Sequence, residues 1–238
     1  MDTIPNSNSR TARLAASQFF FVGMPLSLWG QAYVLSKIIF VPLDPVATAN
    51  NLLSNEFLFR MSIVGHLVDT IFFVLMMMLF HRLFRPVDKF LSRLMIVPVI
   101  AQISVVFVFE VVNFTALMIL KSEARSTFDV AQQQEAAYWL LRMHAYGVGI
   151  GMGKLLIGLS FIPFGMLVFR SGLAPRIIGI LLIIGGVGYL ADCCTSILLQ
   201  RADYLMLRSF LMYTTLAYIL ALLWFLIKGV RNPTPIVN

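Results

Sequence analysis

Six apolar runs, each long enough to cross a bilayer as a helix, fill most of this chain of 238 residues. A helix needs about 20 mostly apolar residues to span the hydrocarbon. Residues 14–40, 57–80, 91–120, 138–169, 177–199 and 206–227 all qualify. Strands are not expected in the membrane, because apolar and polar residues nowhere alternate for long. The expected fold is therefore all-α: a polytopic membrane protein, one domain over residues 1–238, built as a bundle of six transmembrane helices. Charged residues make up 12% of the chain, about half of what a soluble domain carries. Folded in water, such a chain would expose apolar patches that monomers avoid. That excludes a soluble enzyme, and the apolar content excludes a disordered chain.

Charge orients the helices. One set of loops collects Arg10, Arg13, Arg82, Arg85, Lys89, Arg93, Arg170, Arg176, Lys228 and Arg231 against Asp2 and Asp88. The other collects Lys37, Arg60, Lys121, Arg125, Arg142, Arg201 and Arg208 against Asp44, Glu56, Glu123, Asp129, Glu135 and Asp203. Basic residues accumulate on the cytoplasmic side, so both termini are expected there. The net charge of +7 thus reads as topology. The basic residues flank apolar runs and form no free stripe, so nucleic acid is not an expected partner; the lipid bilayer is. The polar N-terminus followed by residues 14–40 resembles a signal peptide, but the apolar run is too long for one and is read as the first span. On the outer side, Asp44-Pro45 has the form of an N-cap and first-turn proline opening a short helix over residues 46–54, and Ser126–Ala137 has similar character. Pro25, Pro98 and Pro163 fall inside spans, where proline kinks a helix.

Ionisable side chains within a span are costly and usually mark function. His66 and Asp69 lie in the second run, Glu110 in the third, Lys154 in the fourth and Asp192 in the fifth. Counted from the cytoplasmic ends at about 1.5 Å per residue, they fall between about 16 and 24 Å, in one slab reaching into the outer half of the membrane. His66 and Asp69 are three residues apart and share a helix face, as do Glu110 and Asn113. These residues, His66, Asp69, Glu110, Asn113, Lys154 and Asp192, are the candidate ligand or ion pocket, with Arg60, His144 and Arg208 at its rim. Lys154 needs a carboxylate, and Asp69, Glu110 and Asp192 are the candidates. Three acids against one lysine leave negative charge in excess. It is met by a protonated acid, by Arg60, Arg142 or Arg208 reaching down, or by a bound cation.

Other motifs carry less. Gly147–Lys154 looks like a phosphate loop, but Val148 and Leu155 occupy positions that need glycine and serine or threonine; small-residue helix packing explains it, as it does Gly185, Gly186 and Gly188. No zinc or haem signature is present, and no metal or cofactor is expected. His81, beside Arg82, reads as an interfacial residue. Cys193 and Cys194 are adjacent on a helix, diverge by about 100° and cannot form a disulfide with each other. Trp29, Trp139 and Trp224 read as belt or lipid-facing residues, and the methionines and phenylalanines as packing or lipid-facing ones.

Three segments together resemble a known family. They are Asn55–Arg60 running on to Ser62–Gly65; His144-Ala145-Tyr146-Gly147 with Gly151; and Arg170-Ser171-Gly172 continuing through Ala174–Leu190 to Asp192. The chain is similar, from about Arg10 to Val230, to the bacterial domain-of-unknown-function family 4386. The resemblance implies a multi-span inner-membrane protein and brings no established activity, so it assigns no catalytic residue. Glu56, Arg60, His144 and Asp192 fall within the matching segments. Lys154 departs from the family pattern, which is mainly apolar there. The expected function is binding or movement of a small polar solute, ion or proton through an outward-facing polar pocket. The alternatives are a membrane-embedded metal-dependent hydrolase using His66, His144, Asp69 and Asp192, and a structural or regulatory subunit whose polar network only packs helices.

Overall fold

The computed structural model describes residues 7–121, 129–146, 148–198, 216 and 218–230, with side chains at all of these except 144–146, 148–152, 196 and 197. Every regular element among the described residues is a helix. In chain order they are α1 (Ser7–Ile39), α2 (Pro45–Ser54), α3 (Glu56–Phe84), α4 (Lys89–Leu120), α5 (Val130–Tyr146), α6 (Val148–Ser171), α7 (Arg176–Leu198) and α8 (Tyr218–Ile227). Five stretches are long and apolar enough to cross a membrane: α1, α3, α4, Gly153–Ser171 of α6 and Arg176–Thr195 of α7. Of the sixth apolar run, residues 206–215 and 217 lie outside the described residues, and α8 is its shorter, apolar end. The run over residues 138–169 is shared between α5 and α6.

The surface shows what solvent this fold suits. Val97, Ile100, Phe107, Val108 and Val111 are all exposed on α4. Their spacing lines them up along one helix face. In water that face would be an apolar patch; in lipid it needs no partner. Methionines divide the same way: Met76 and Met77 are fully buried while Met78 is exposed.

The chain divides into two compact units. The first comprises Met1–Phe21, Phe72–Gln102 and Lys154–Asn238. Its core is aromatic: Phe80 lies 4.9 Å from Phe164 and 5.0 Å from Phe225, ring centre to ring centre. Within it α6 and α7 touch backbone to backbone. A Cβ on Gly165 would lie 2.5 Å from the Gly179 carbonyl oxygen, and one on Gly158 would lie 2.7 Å from that of Gly186. The connection from α6 to α7 turns at Gly172, whose φ of 66° suits the left-handed cap that ends helices. At the α3–α4 turn, Asp88 Oδ1 accepts from the Phe90 and Leu91 amides. His81 is drawn into the same turn: its Nδ1 bonds the Ser92 carbonyl and the Ser92 hydroxyl donates to the His81 carbonyl, at 2.9 and 3.0 Å. Rather than a solvated interfacial group, His81 is a clasp on the fully buried Ser92.

The second unit comprises Val22–Ile71 and Ile103–Gly153. Its core joins Val34, Leu35, Ile39, Leu52, Phe59, Leu117 and Leu141. The short helix expected after Asp44 is α2: Asp44 Oδ1 accepts from the Ala47 amide at 2.8 Å, with Pro45 in the first turn. Leu43 before it holds a φ of 65°, a costly conformation for a branched residue. It is kept there by the Tyr138 hydroxyl, which accepts from its amide at 2.9 Å while the Tyr138 ring stacks on Phe40.

α1 is irregular. It is π-wound over Phe19–Gly23 and again over Leu28–Ile39, with an α-helical turn, Met24–Ser27, between. Pro25 sits in that turn. Proline removes a donor and crowds the preceding turn, and widened winding is one way a helix absorbs this. Trp29, expected at the lipid boundary, instead packs beside Gly65 of α3.

Candidate functional site

Among the described residues, the buried ionisable side chains of the apolar helices form two assemblies, one in each unit. In the second unit, α3 and α4 meet through charge. Glu110 is 4% exposed and its Oε1 is hydrogen-bonded to His66 Nδ1. Its other oxygen accepts from Asn113 Nδ2 at 3.0 Å. The three-residue spacing on α4 places Asn113 one turn above Glu110. Asp69, one turn beyond His66 on α3, is 8% exposed. The Ser27 hydroxyl of α1 faces its carboxylate. Thr70 does not join the cluster, since its hydroxyl donates to the His66 carbonyl.

Two acceptors are left over. Asp69 Oδ1 and Asn113 Oδ1 are buried with no hydrogen-bond partner among the described residues. Orphaned buried acceptors of this kind are uncommon and call for an explanation such as a bound water or ion. The Asn113 amide is oriented by chemistry: a carboxylate only accepts, so the NH2 end must face Glu110 and the oxygen must be the free end.

In the first unit, Lys154 Nζ donates to Asp192 Oδ2, joining α6 to α7. Of the three acids open to Lys154, its partner is thus Asp192. The Thr195 hydroxyl donates to the Ala191 carbonyl at 2.8 Å. Cys193 is buried and Cys194 exposed.

Two of the three arginines open to reaching inward, Arg60 and Arg142, are engaged elsewhere. Arg60 Nε donates to Glu56 Oε1 at 2.8 Å, and its guanidinium lies 5.3 Å over the Phe114 ring. Lys121 bonds the same carboxylate. Arg142 lies 4.7 Å over Trp139. Arg60 and Glu56 are four residues apart with the acid first, a spacing that favours pairing along a helix and that explains why Arg60 stays at the helix end. Arg208 and the side chain of His144 lie outside the described residues. Among the described residues, no group of three His, Cys, Asp or Glu is placed to hold a metal ion.

Long apolar helices with outward apolar faces, interrupted by buried ionisable groups, define an α-helical multi-pass membrane protein. The family model described as Domain of unknown function (DUF4386) matches residues 16–229, and the chain belongs to that family. No curated protein and no solved structure matches it.

Proposed function

We propose that this is a six-span protein of the bacterial inner membrane, a single domain with both termini in the cytoplasm, that binds and moves a small polar solute, ion or proton through an outward-facing site formed by His66, Asp69, Glu110 and Asn113. Topology rests on the asymmetry of basic residues between the two sets of loops, and the choice of membrane on the resemblance to a bacterial family. The site rests on charge balance. Two buried acids, Asp69 and Glu110, stand beside one histidine, His66, and Arg60 bonds Glu56 instead. An unbalanced charge in the middle of a membrane helix costs at least about 2.5–3.5 kcal/mol. A cluster carrying one will therefore favour a positive or proton-bearing occupant.

Lys154 and Asp192 have a different role in this reading. They neutralise each other, and they sit where α6 and α7 already touch through glycine. We read them as a packing pair outside the binding chemistry.

Water access tests the site. His66 keeps 17% of its side chain exposed, so a His66→Cys variant, with Cys193 and Cys194 replaced by serine, is exposed to a membrane-impermeant thiol reagent added from the outer face. Modification from that face, slowed in the presence of an occupant, is the expected result. A folded variant that no aqueous reagent reaches from either face would refute an outward-opening site.

A further inference from the structure

We propose that one side of the α3–α4 hairpin in the first unit holds an anionic phospholipid, with its phosphate among Arg82, Arg85, Lys89 and Arg93 and an acyl chain along the apolar residues beneath them.

The hairpin's own geometry places these four cations together. α3 ends at Phe84 and α4 starts at Lys89, so the two helices run antiparallel from a tight turn. Their facing residues are His81 and Ser92, with Nδ1 and Oγ 2.7 Å apart. Each residue advances about 100° around its helix. In antiparallel helices, one step on from each of two facing residues leads to the same side of the pair. Arg82 and Arg93 therefore project together. Arg85, four beyond His81 and still bonded through its amide to the His81 carbonyl, turns to that side, as does Lys89, three before Ser92. All four side chains are exposed. The opposite side bears Phe80, Phe84, Leu91 and Met95, all buried. That side faces the aromatic core at Phe164.

The cations lack a counter-charge. Asp88, the acid of the turn, is already used: its Oδ1 accepts from the Phe90 and Leu91 amides, and its Oδ2 lies 3.4 Å from Arg170. Among the described residues, no carboxylate pairs with Arg82, Arg85, Lys89 or Arg93. Orienting a helix requires basic residues at its end, but it does not require them on one side of a hairpin. Four unpaired cations on one side make a receptor for an anion, and guanidinium groups match phosphate oxygens in pairs.

The residues beneath them identify the rest of the occupant. On the same side α3 continues to Met78 and Leu75, and α4 to Val97 and Ile100, all exposed. Leu75 lies seven residues from Arg82, and Ile100 seven from Arg93, or about 10 Å along each helix. One leaflet of hydrocarbon is about 15 Å deep. A phosphate with an apolar chain of that reach fits both parts of the surface. A soluble phosphate would leave the apolar part unused, and an acidic peptide would have to enter hydrocarbon to cover it. Basic clusters at the end of a membrane helix are known attractants of anionic lipid.

The test uses the purified full chain in a neutral detergent, with bound phospholipid counted by native mass spectrometry. The probes are phosphatidylglycerol and phosphatidylcholine with identical acyl chains. The expected result is one phosphatidylglycerol per chain, held about tenfold more tightly than phosphatidylcholine. Each cation near a lipid phosphate contributes about fivefold, so Arg82→Gln with Arg93→Gln should erase the preference. Arg170→Gln with Arg176→Gln removes the same charge at the ends of α6 and α7 and should leave it intact. Arg85→Gln with Lys89→Gln tests the same side if the first pair does not fold. Equal retention of the two lipids by the unaltered chain would overturn the proposal without any variant. An equal loss in the α6–α7 variant would assign the preference to overall charge and overturn the site. Displacement of the lipid by glycerol phosphate at the lipid's own concentration would replace it with a soluble phosphate. A dimer lost in Arg82→Gln with Arg93→Gln, with no lipid retained, would give the surface to a second copy instead. None of these outcomes bears on the site at His66.

Discussion

Lys154–Asp192 and His66–Glu110 are both ionisable pairs within apolar helices, yet they are built differently. The first pairs one ammonium with one carboxylate, between two helices that touch at Gly158 and Gly186. The second is open-ended. Its histidine faces a second acid, its asparagine is tied on one side only, and two acceptors lack donors among the described residues. Balanced pairs hold helices together, whereas unbalanced clusters keep capacity for something else. Burial alone does not separate the two, since Asp192 and Glu110 are each 4% exposed.

The comparison is broken most directly at the packing pair. Removing one partner of a buried ion pair costs about 3–5 kcal/mol; because Lys154 is partly exposed, the lower part of that range applies. Lys154→Met alone should lower the melting temperature sharply. Lys154→Met with Asp192→Leu should recover most of the loss. A double variant as unstable as the single one would show that the pair does more than neutralise itself.

The glycine contact beside it comes next. Gly165→Ala forces a methyl to within 2.5 Å of a backbone oxygen, and overpacking of this kind costs about 1–3 kcal/mol. Thermal unfolding should register it, while Gly153→Ala, where a Cβ meets nothing within 4 Å, should not. Equal effects at both positions would contradict the close approach of α6 and α7.

The smaller effects fall in the other unit. Tyr138→Phe removes the acceptor for the Leu43 amide and should cost about 1 kcal/mol. Asp69→Asn should be smaller still, or stabilising, because it removes an unbalanced buried charge. Its effect should be on occupancy rather than on folding. A severe loss of stability in Asp69→Asn would turn this cluster into a second packing network and erase the contrast.

What the sequence revealed was local. The Asp44–Pro45 cap needs only neighbouring residues and stands as expected. The three-residue spacing of Glu110 and Asn113 correctly placed two side chains in contact. Long-range choices were not legible. Lys154 had three possible acids, and only the neighbouring of α6 and α7 selects Asp192. Gly165 lies seven residues beyond Gly158 and Gly179 seven before Gly186, so each glycine face is present in the sequence, but only the packing of α6 on α7 shows that the two faces meet. Trp29 reads as a belt or lipid-facing residue because tryptophan favours such positions, and the sequence alone does not reveal that it packs beside Gly65. The π-winding of α1 had one local sign, Pro25, which signals a disturbance without saying which form it takes. Arg60 reads as a rim residue and as one of three arginines able to reach down to the acids; the Glu56 spacing that holds it back is present in the sequence.

Chemical access to position 66 tests the central claim most directly. A His66→Cys variant with Cys193 and Cys194 replaced by serine is treated with a membrane-impermeant thiol reagent from each face in turn. The account predicts modification from the outer face. A folded variant that is modified from neither face, or from the cytoplasmic face alone, would contradict it.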